Sequence, residues 1–171
     1  MRRMIGIAAL GLVGLALPQL VGQNLPDDSE PAPYTLELSR QGTATVADGY
    51  RVFVMLAQQH GQIDSDVAAV DMEFGQLQQT MIAAGWISRS WCFHSSAGLE
   101  RDVLAYMAAS YLDVRPGLLT SLLGMTRRYA YREMQFRRFM KSGQPHQIVS
   151  GAELLSVMTR MAIEVSDDSD N

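Results

Sequence analysis

Cysteine is almost absent from this sequence, since Cys92 is the only one among 171 residues. A lone cysteine cannot form an internal disulfide, so the class of small disulfide-stapled domains is excluded. An unpaired cysteine is most often buried as a small apolar residue, and a disulfide between two chains is the alternative. The fold must therefore be held together by packing.

Motifs that carry chemistry are also missing. The sequence has no glycine-rich phosphate loop and no serine-centred nucleophile elbow. Cys92 and His94 have the spacing of two zinc ligands, but no second spaced pair completes a tetrahedral site. A cysteine nucleophile would need an orienting group and an oxyanion donor, and neither is identified. We therefore expect no catalytic residue, metal or cofactor, and keep an exported hydrolase or metal-dependent enzyme that uses Cys92 and His94 as the alternative.

The first 22 residues have the layout of a secretory signal peptide. Arg2 and Arg3 precede an apolar run over 4–17, and Pro18 separates that run from small residues around Gly22. A helix needs roughly 20 apolar residues to cross a bilayer, so the run is short for a permanent anchor. We predict export to the periplasm or cell envelope, with membrane tethering if the leader 1–22 is not cleaved. Cleavage would remove both arginines and change the formal charge from −4 to −6.

The rest of the chain divides by composition into a tether, one domain and a tail. Pro26, Pro31 and Pro33 lie among acidic residues in 23–43, which predicts an extended tether. The alternating apolar residues over 34–38 are the pattern of one short strand, although no partner strand is evident. The stretch 44–165 has a length suited to one domain, and 166–171 is an acidic tail too polar to order itself.

Apolar residues at spacings of three and four predict an all-α fold for 44–165. Thr45 is suited to cap the first helix, and Asp48 suits its positively polarised N-terminus. The loop 86–94 holds both tryptophans, which we expect to fill the space between helices, and 118–125 is a short apolar helix or turn. The prediction is a compact bundle of about five main helices, over 45–59, 64–84, 99–112, 127–141 and 150–165.

Three of these helices repeat one pattern. Asp48, Asp102 and Glu153 superpose with offsets of 54 and 51 residues, so each helix has an acid near its start, followed by the same apolar spacing. Internal periods of this length are typical of stacked helical units, which bury their faces against neighbours. The bundle is therefore predicted to consist of quasi-repeated helix pairs. Chance agreement between amphipathic helices is the alternative.

The starts of the three helices resemble the S-layer homology repeat of bacterial envelope proteins. The matching stretches are 45–48, 99–102 and 150–153. The hydroxyl, alanine and acid of a Thr-Arg-Ala-Glu-like start fit in the first and third stretches, and the acid alone fits in the second. The resemblance implies a helical bundle that binds cell-wall polysaccharide, with the motif's arginine gripping the anionic polymer.

The motif's arginine is the point at which this sequence departs from that family. Val46, Glu100 and Gly151 take its place, and Arg101 is displaced by one position. The resemblance therefore implies the architecture and assigns no binding residue.

Positive charge is concentrated in one stretch, where six of the fourteen basic residues fall within fifteen positions. On a helical projection, Tyr129, Phe136, Phe139 and Met140 share an apolar face, and most of the basic side chains lie opposite. This pattern predicts an amphipathic helix with a basic outer face. The residues of the basic face, our candidate binding site, are Arg127, Arg128, Arg132, Arg137, Arg138 and Lys141.

The basic face has three interpretations. Nucleic acid is not expected as a partner, because the chain is acidic overall and predicted to be exported. The functional interpretation is contact with an anionic envelope component, either a glycan or a membrane surface, or with another envelope protein. A solvated arginine face that pairs with acids elsewhere in the domain is the alternative. The sequence thus predicts an exported bacterial envelope protein that acts by binding or scaffolding and not by catalysis.

Overall fold

Six α-helices form the described part of the chain, residues 33–64, 66–114 and 125–169 of a computed structural model. Within these ranges there is no sheet, and two isolated bridges join Thr45 to Gly98 and Glu100 to Ile148. No helix found there combines the length and apolar character needed to cross a membrane. The predicted all-α bundle is confirmed. Its helices are α1 Pro33–Arg40, α2 Val46–Gln59, α3 Phe74–Ala83, α4 Arg101–Tyr111, α5 Arg127–Phe136 and α6 Gly151–Ser169.

The helices pack as three pairs. α2 packs against α3, α4 against α5, and α6 against α1. The third pair joins the two ends of the described chain, because α1 is the first helix and α6 the last. One core fills the space between the pairs, with Tyr50, Phe53, Leu104, Met134 and Leu154 fully buried. The described residues therefore contain three packed helix pairs, and the pair of α1 with α6 is one that the sequence did not predict.

Backbone hydrogen bonds tie the starts of α2, α4 and α6 into a closed ring. The N–H of Ala44 donates to the carbonyl of Val149 at 2.8 Å, and that of Leu99 donates to Ala44 at 2.9 Å. The N–H of Val149 completes the cycle by donating to the carbonyl of Leu99 at 2.9 Å. These bonds satisfy backbone groups that would otherwise be buried without partners, and they give the three helix starts equivalent places.

The ring corrects the predicted register of the repeat. Its equivalent residues are Ala44, Leu99 and Val149, which are offset by 55 and 50 residues instead of the predicted 54 and 51. The first and third copies keep the predicted alignment, and the second shifts by one. Arg101 therefore begins α4 where Val46 begins α2 and Gly151 begins α6.

α1 lies where the sequence predicted extended chain. Pro33 is its first residue, a position at which the missing N–H of proline costs no helical hydrogen bond. Leu38 is fully buried, and a Cβ on Gly151 would collide with the Leu38 carbonyl oxygen, so α1 and the start of α6 approach closely. For residues 33–40 the tether and the short strand are wrong, because packing against α6 stabilises a helix there. The predicted leader 1–22 and the tether residues 23–32 lie outside the described residues.

The predicted helix over 64–84 is replaced by a 3₁₀ turn, Ala69–Asp71, and the shorter α3. The side chain of Gln58 donates to the carbonyl of Val67 at 2.9 Å and accepts from the N–H of Ala69 at 3.1 Å. These bonds hold the backbone in a non-helical path. α3 then begins after a capping box between Glu73 and Gln76. Side-chain bonds to the backbone therefore override the apolar periodicity here.

The last two helices also end elsewhere than predicted. α5 ends at Phe136 instead of 141, and Arg138 adopts a left-handed φ of 63°. The resulting turn buries Phe139 and Met140. Phe136 is 83% exposed because α5 buries the opposite face, with Ala130, Tyr131 and Met134, so the prediction of Phe136 on the buried face is wrong. α6 extends to Ser169, so 166–169 is helical instead of frayed. Residues 170–171 and most of the predicted apolar segment 118–125 lie outside the described residues.

Candidate functional site

Three acidic side chains stand at the helix starts that form the ring. Asp48 and Glu153 are the third residues of α2 and α6, and Asp102 is the second residue of α4. The partial positive charge of a helix N-terminus favours a carboxylate at such positions. We name the three surroundings the Asp48, Asp102 and Glu153 corners, since each acid meets different partners.

The Asp48 corner is closed by hydrogen bonds. Asp48 Oδ2 accepts from the N–H of Thr45 at 2.8 Å and from its hydroxyl at 2.7 Å, within a capping box. Asp48 Oδ1 accepts from the hydroxyl of Tyr34 at 2.8 Å, and the Arg51 guanidinium lies 5.4 Å from the Tyr34 ring centroid. Burial raises the pKa of Tyr34 to about 12, so the hydroxyl remains a proton donor at neutral pH. This carboxylate is fully used by the fold.

The Glu153 corner opens into a positively charged cavity. Arg101, only 9% exposed, pairs with Glu153 through Nε to Oε1 at 2.9 Å and Nη2 to Oε2 at 3.0 Å. The hydrogen bond to Glu153 raises the pKa of Arg101 above its usual value. Lys141 and Arg160 line the same cavity, which has a volume of about 320 Å³ and which we call the basic cavity. With three cations and one paired carboxylate, the basic cavity has a net positive charge.

A glycine makes room for the arginine of this corner. A Cβ on Gly143 would collide with Nη1 of Arg101, so the loop before α6 passes directly over the guanidinium. The side chain of Arg101 is thus confined between Gly143 and Glu153. Its position is fixed by packing and pairing before any ligand arrives.

The Asp102 corner gathers charges of both signs. His146 Nδ1 lies 3.1 Å from Glu100 Oε2 and 3.8 Å from Asp102 Oδ2. Arg127 places Nε 3.5 Å from Asp102 Oδ2 and Nη1 3.9 Å from Glu100 Oε2. Asp102, Arg127, Arg128 and His146 line a cavity of about 430 Å³, the Asp102 cavity. Two acids, two arginines and a histidine therefore meet at the start of α4.

The carboxyl of Asp102 is the perturbed group of this corner. Asp102 is 4% exposed, and its burial raises the pKa above the usual value. The charge of Glu100 raises the pKa further, whereas Arg127, His146 and the backbone N–H of Val103 lower it. Oδ1 accepts no hydrogen bond of normal geometry from the described residues. The corner therefore holds a buried charge that its neighbours satisfy only in part.

The structure divides the six predicted basic residues between different sites instead of one helical face. Arg127 and Arg128 line the Asp102 cavity, and Lys141 lines the basic cavity. Arg137 forms an ion pair with Glu133 at 2.9 Å, while Arg132 and Arg138 are exposed. Because α5 ends at Phe136, the last three residues of the set follow a turn and do not continue the helical stripe.

Sequence reasoning missed three side chains of these cavities: Arg101, His146 and Arg160. In the register predicted from the sequence, Arg101 lies one position away from the arginine of the motif. His146 lies in the loop before α6, where no periodicity indicates direction. Arg160 is an isolated cation on α6, and the sequence does not show which turn of another element it meets.

The aromatic loop 86–94 packs as predicted, but its cysteine does not. Trp86 is buried with its ring 4.9 Å from that of Tyr111, and the Trp91 ring lies 5.0 Å from that of Tyr106. Cys92 is exposed, so the expected buried thiol is wrong. His94 is exposed as well, and neither residue belongs to a group of three or more possible metal ligands within the described ranges.

Of the groups described above, the Asp102 corner has the most varied chemistry and the Glu153 corner the clearest net charge. No family model, no curated protein and no solved structure matches the chain.

Proposed function

We propose that this chain is an exported, non-catalytic protein of the bacterial cell envelope that binds an acidic glycan in the basic cavity. The observation that carries the proposal is the charge of that cavity. Arg101, Lys141 and Arg160 line it together with one carboxylate, Glu153, which is already paired with Arg101. An anionic group entering the cavity would meet two cations whose charge that carboxylate does not balance.

The shape of the cavity favours a glycan over a membrane surface. Its volume of about 320 Å³ is at the small end of the range of small-molecule sites, so it is suited to one or two sugar units. Phe139 and Met140 contribute apolar wall, and Ser150 and Ser156 contribute hydroxyls, a combination suited to the mixed surface of a sugar. The flat face of a bilayer cannot enter such a recess.

The placement of Arg101 adds support from the resemblance. In the ring register, Arg101 is the first residue of α4, equivalent to Val46 and Gly151. That is the place of the arginine in the S-layer homology motif, where the sequence alignment had put Glu100. Export is supported by the sequence of the leader 1–22, which precedes the described residues.

The proposal is tested by binding of the purified protein to an insoluble cell-wall fraction. Lys141→Gln with Arg160→Gln removes two charges from the basic cavity. We expect the dissociation constant to rise about tenfold, which corresponds to ~1.4 kcal/mol of binding free energy. Arg89→Gln with Arg132→Gln is the matched control, since it removes two exposed charges that do not line the cavity. Cosedimentation at several salt concentrations measures both.

Two results would count against the proposal. Equal weakening by both double variants would mean that net charge, and not the basic cavity, governs attachment. Binding to anionic vesicles but not to cell walls would replace the glycan with a membrane surface. Unchanged circular dichroism spectra and melting temperatures for all variants show that the comparison concerns binding and not folding.

A further inference from the structure

Backbone hydrogen bonds hold the loop before α6 against the start of α4. The N–H of Arg101 donates to the carbonyl of Gln147 at 3.0 Å, and that of Asp102 donates to Pro145 at 2.9 Å. A bridge between Glu100 and Ile148 continues the contact. The side chain of His146, which lies between these bonded residues, is thereby brought to two carboxylates that are distant in sequence. The convergence therefore depends on backbone bonds between the loop before α6 and the start of α4, which lie next to the ring in sequence.

The distances among the three side chains match those of metal ligands. One atom from each of Glu100, Asp102 and His146 lies within 4.8 Å of the others. His146 Nδ1 is 3.1 Å from Glu100 Oε2 and 3.8 Å from Asp102 Oδ2. Ligands placed about 2.0 to 2.2 Å from a tetrahedral Zn²⁺ are roughly 3.3 to 3.6 Å apart. The two distances from His146 are close to this spacing, and a pair as far apart as 4.8 Å would have to close by about 1 Å to share an ion, on the same geometric estimate.

An independent observation points to a missing partner at the same place. Asp102 is 4% exposed, and its Oδ1 accepts no hydrogen bond of normal geometry from the described residues, although the backbone N–H of Val103 interacts with the carboxyl. A buried carboxylate oxygen without a donor is costly, and most such atoms in folded proteins are paired. Asp102 also lines the Asp102 cavity, so a cation entering that cavity has access to this side chain.

Arg127 is the competitor for the same carboxylates. Its guanidinium lies 3.5 Å from Asp102 and 3.9 Å from Glu100, contacts that are long for hydrogen bonds. The side chain of Arg127 is 40% exposed, so it is free to swing towards solvent when a cation enters. The side chain of His146 is 71% exposed, which leaves room for its ring to adjust.

We propose that Glu100, Asp102 and His146 bind a divalent first-row metal ion, with Zn²⁺ the best fit, at the Asp102 corner. One imidazole nitrogen and two carboxylate oxygens suit Zn²⁺, whereas Ca²⁺ takes six to eight oxygen ligands. The Asp102 cavity leaves a fourth position for water or for an anionic group of a ligand. The site is distinct from the basic cavity and does not depend on the proposed glycan binding.

Titration of the full chain with Zn²⁺ in a calorimeter tests the site, and Co²⁺ absorption reports its coordination. We expect one ion per chain, and at least about a tenfold weaker affinity for His146→Ala and for Asp102→Asn. Cys92→Ser with His94→Ala is the matched control, because these exposed residues are the other candidate zinc ligands, and the affinity should not change. Arg127→Gln should raise the affinity, since it removes the competing positive charge.

The outcomes separate a metal site from an ion-pair network. Loss of binding in the control but not in His146→Ala would move the metal to the loop 86–94 and overturn the proposal. Unchanged affinity in both His146→Ala and Asp102→Asn, or weaker binding in Arg127→Gln, would also overturn it. His146 is exposed, so His146→Ala is expected to fold, and its spectrum and melting curve verify this.

Discussion

At the Asp48 corner both carboxylate oxygens accept hydrogen bonds, from Thr45 and from Tyr34. At the Asp102 corner Oδ1 accepts none from the described residues, and Oδ2 has only long contacts with Arg127 and His146. The two acids begin equivalent helices in the same ring, but Asp48 is the third residue of α2 and Asp102 the second residue of α4. The difference therefore comes from this one-position shift together with the partners that the neighbouring elements supply.

The Asp48 and Asp102 corners differ in the number of hydrogen-bond donors that neighbouring residues supply to the carboxylate. α1 brings the Tyr34 hydroxyl to Asp48, and the capping residue Thr45 contributes both a backbone and a side-chain donor. Glu100 occupies the capping position of α4, but its side chain makes no capping bond. A carboxylate that is saturated by the fold is a structural element, whereas one that is partly satisfied beside a cavity remains available to a ligand.

Weakening the packing of α1, which contributes to the Asp48 corner, should have the largest effect on stability. Leu38→Ala deletes a fully buried side chain, and we expect a loss of about 2 to 5 kcal/mol in the free energy of unfolding. Because α1 carries Tyr34, the bond to Asp48 should weaken with it. Urea unfolding measures the loss. Leu36→Ala on the same helix is the control: Leu36 is exposed, so a comparable loss there would mean that α1 is not docked as described.

A smaller effect should distinguish the two capping positions. Thr45→Ala removes the capping box of α2, which should cost about 1 kcal/mol of stability. Glu100→Ala should cost clearly less, because no side-chain cap is lost at α4. Denaturant unfolding with a chelator present measures both variants free of metal. Equal losses of stability in the two variants would mean that the Asp48 and Asp102 corners do not differ in capping.

The smallest effect concerns pH. Burial raises the pKa of Asp102 above its usual value of 3.8, so the folded chain holds this proton more tightly than the unfolded chain. The stability that the carboxyl contributes is full below that usual value and is lost as the pH rises through the folded pKa. Asp102→Asn removes the buried charge, so it should raise the free energy of unfolding at pH 7, and the gain should shrink in acid.

The corresponding substitution at the Asp48 corner should change stability in the opposite direction. Asp48→Asn replaces one of its two oxygens, which accept from Tyr34 and from Thr45 respectively, with an NH2 group, so we expect lower stability at pH 7. Unfolding curves of both variants at neutral and acidic pH, with a chelator present, make the comparison. A loss of stability in Asp102→Asn at pH 7 would mean that pairing with Arg127 outweighs the cost of burial.

The sequence was sufficient to predict a helix where the pattern that indicates it lies within that helix. Thr45 and Asp48 form the capping box of α2, and apolar spacing located α2, α4 and α6 to within a few residues. The repeat was visible because its acids stand near the helix starts. The register of the second copy was not, because it is fixed by hydrogen bonds between backbones that are about 50 residues apart.

What the sequence did not reveal depends on distant partners. Leu38 is the only buried residue of α1, too weak a pattern to indicate a helix without α6. Phe136 fits the apolar face predicted for α5, but the helix buries the opposite face, with Ala130 and Met134, against α4. His146 and Glu100 are brought together by backbone bonds between the loop before α6 and the start of α4, so no motif could have paired them. The candidate sites were therefore less predictable than the helices.

The pairing of α1 with α6 has a consequence for how the molecule is made. During synthesis the N-terminal residues are made first, so α1 is made before the other described helices. The surface against which Leu38 packs is not complete until α6 has been made. Contacts between such distant segments form late and slowly. The nascent protein must therefore keep α1 undocked until α6 has been synthesised.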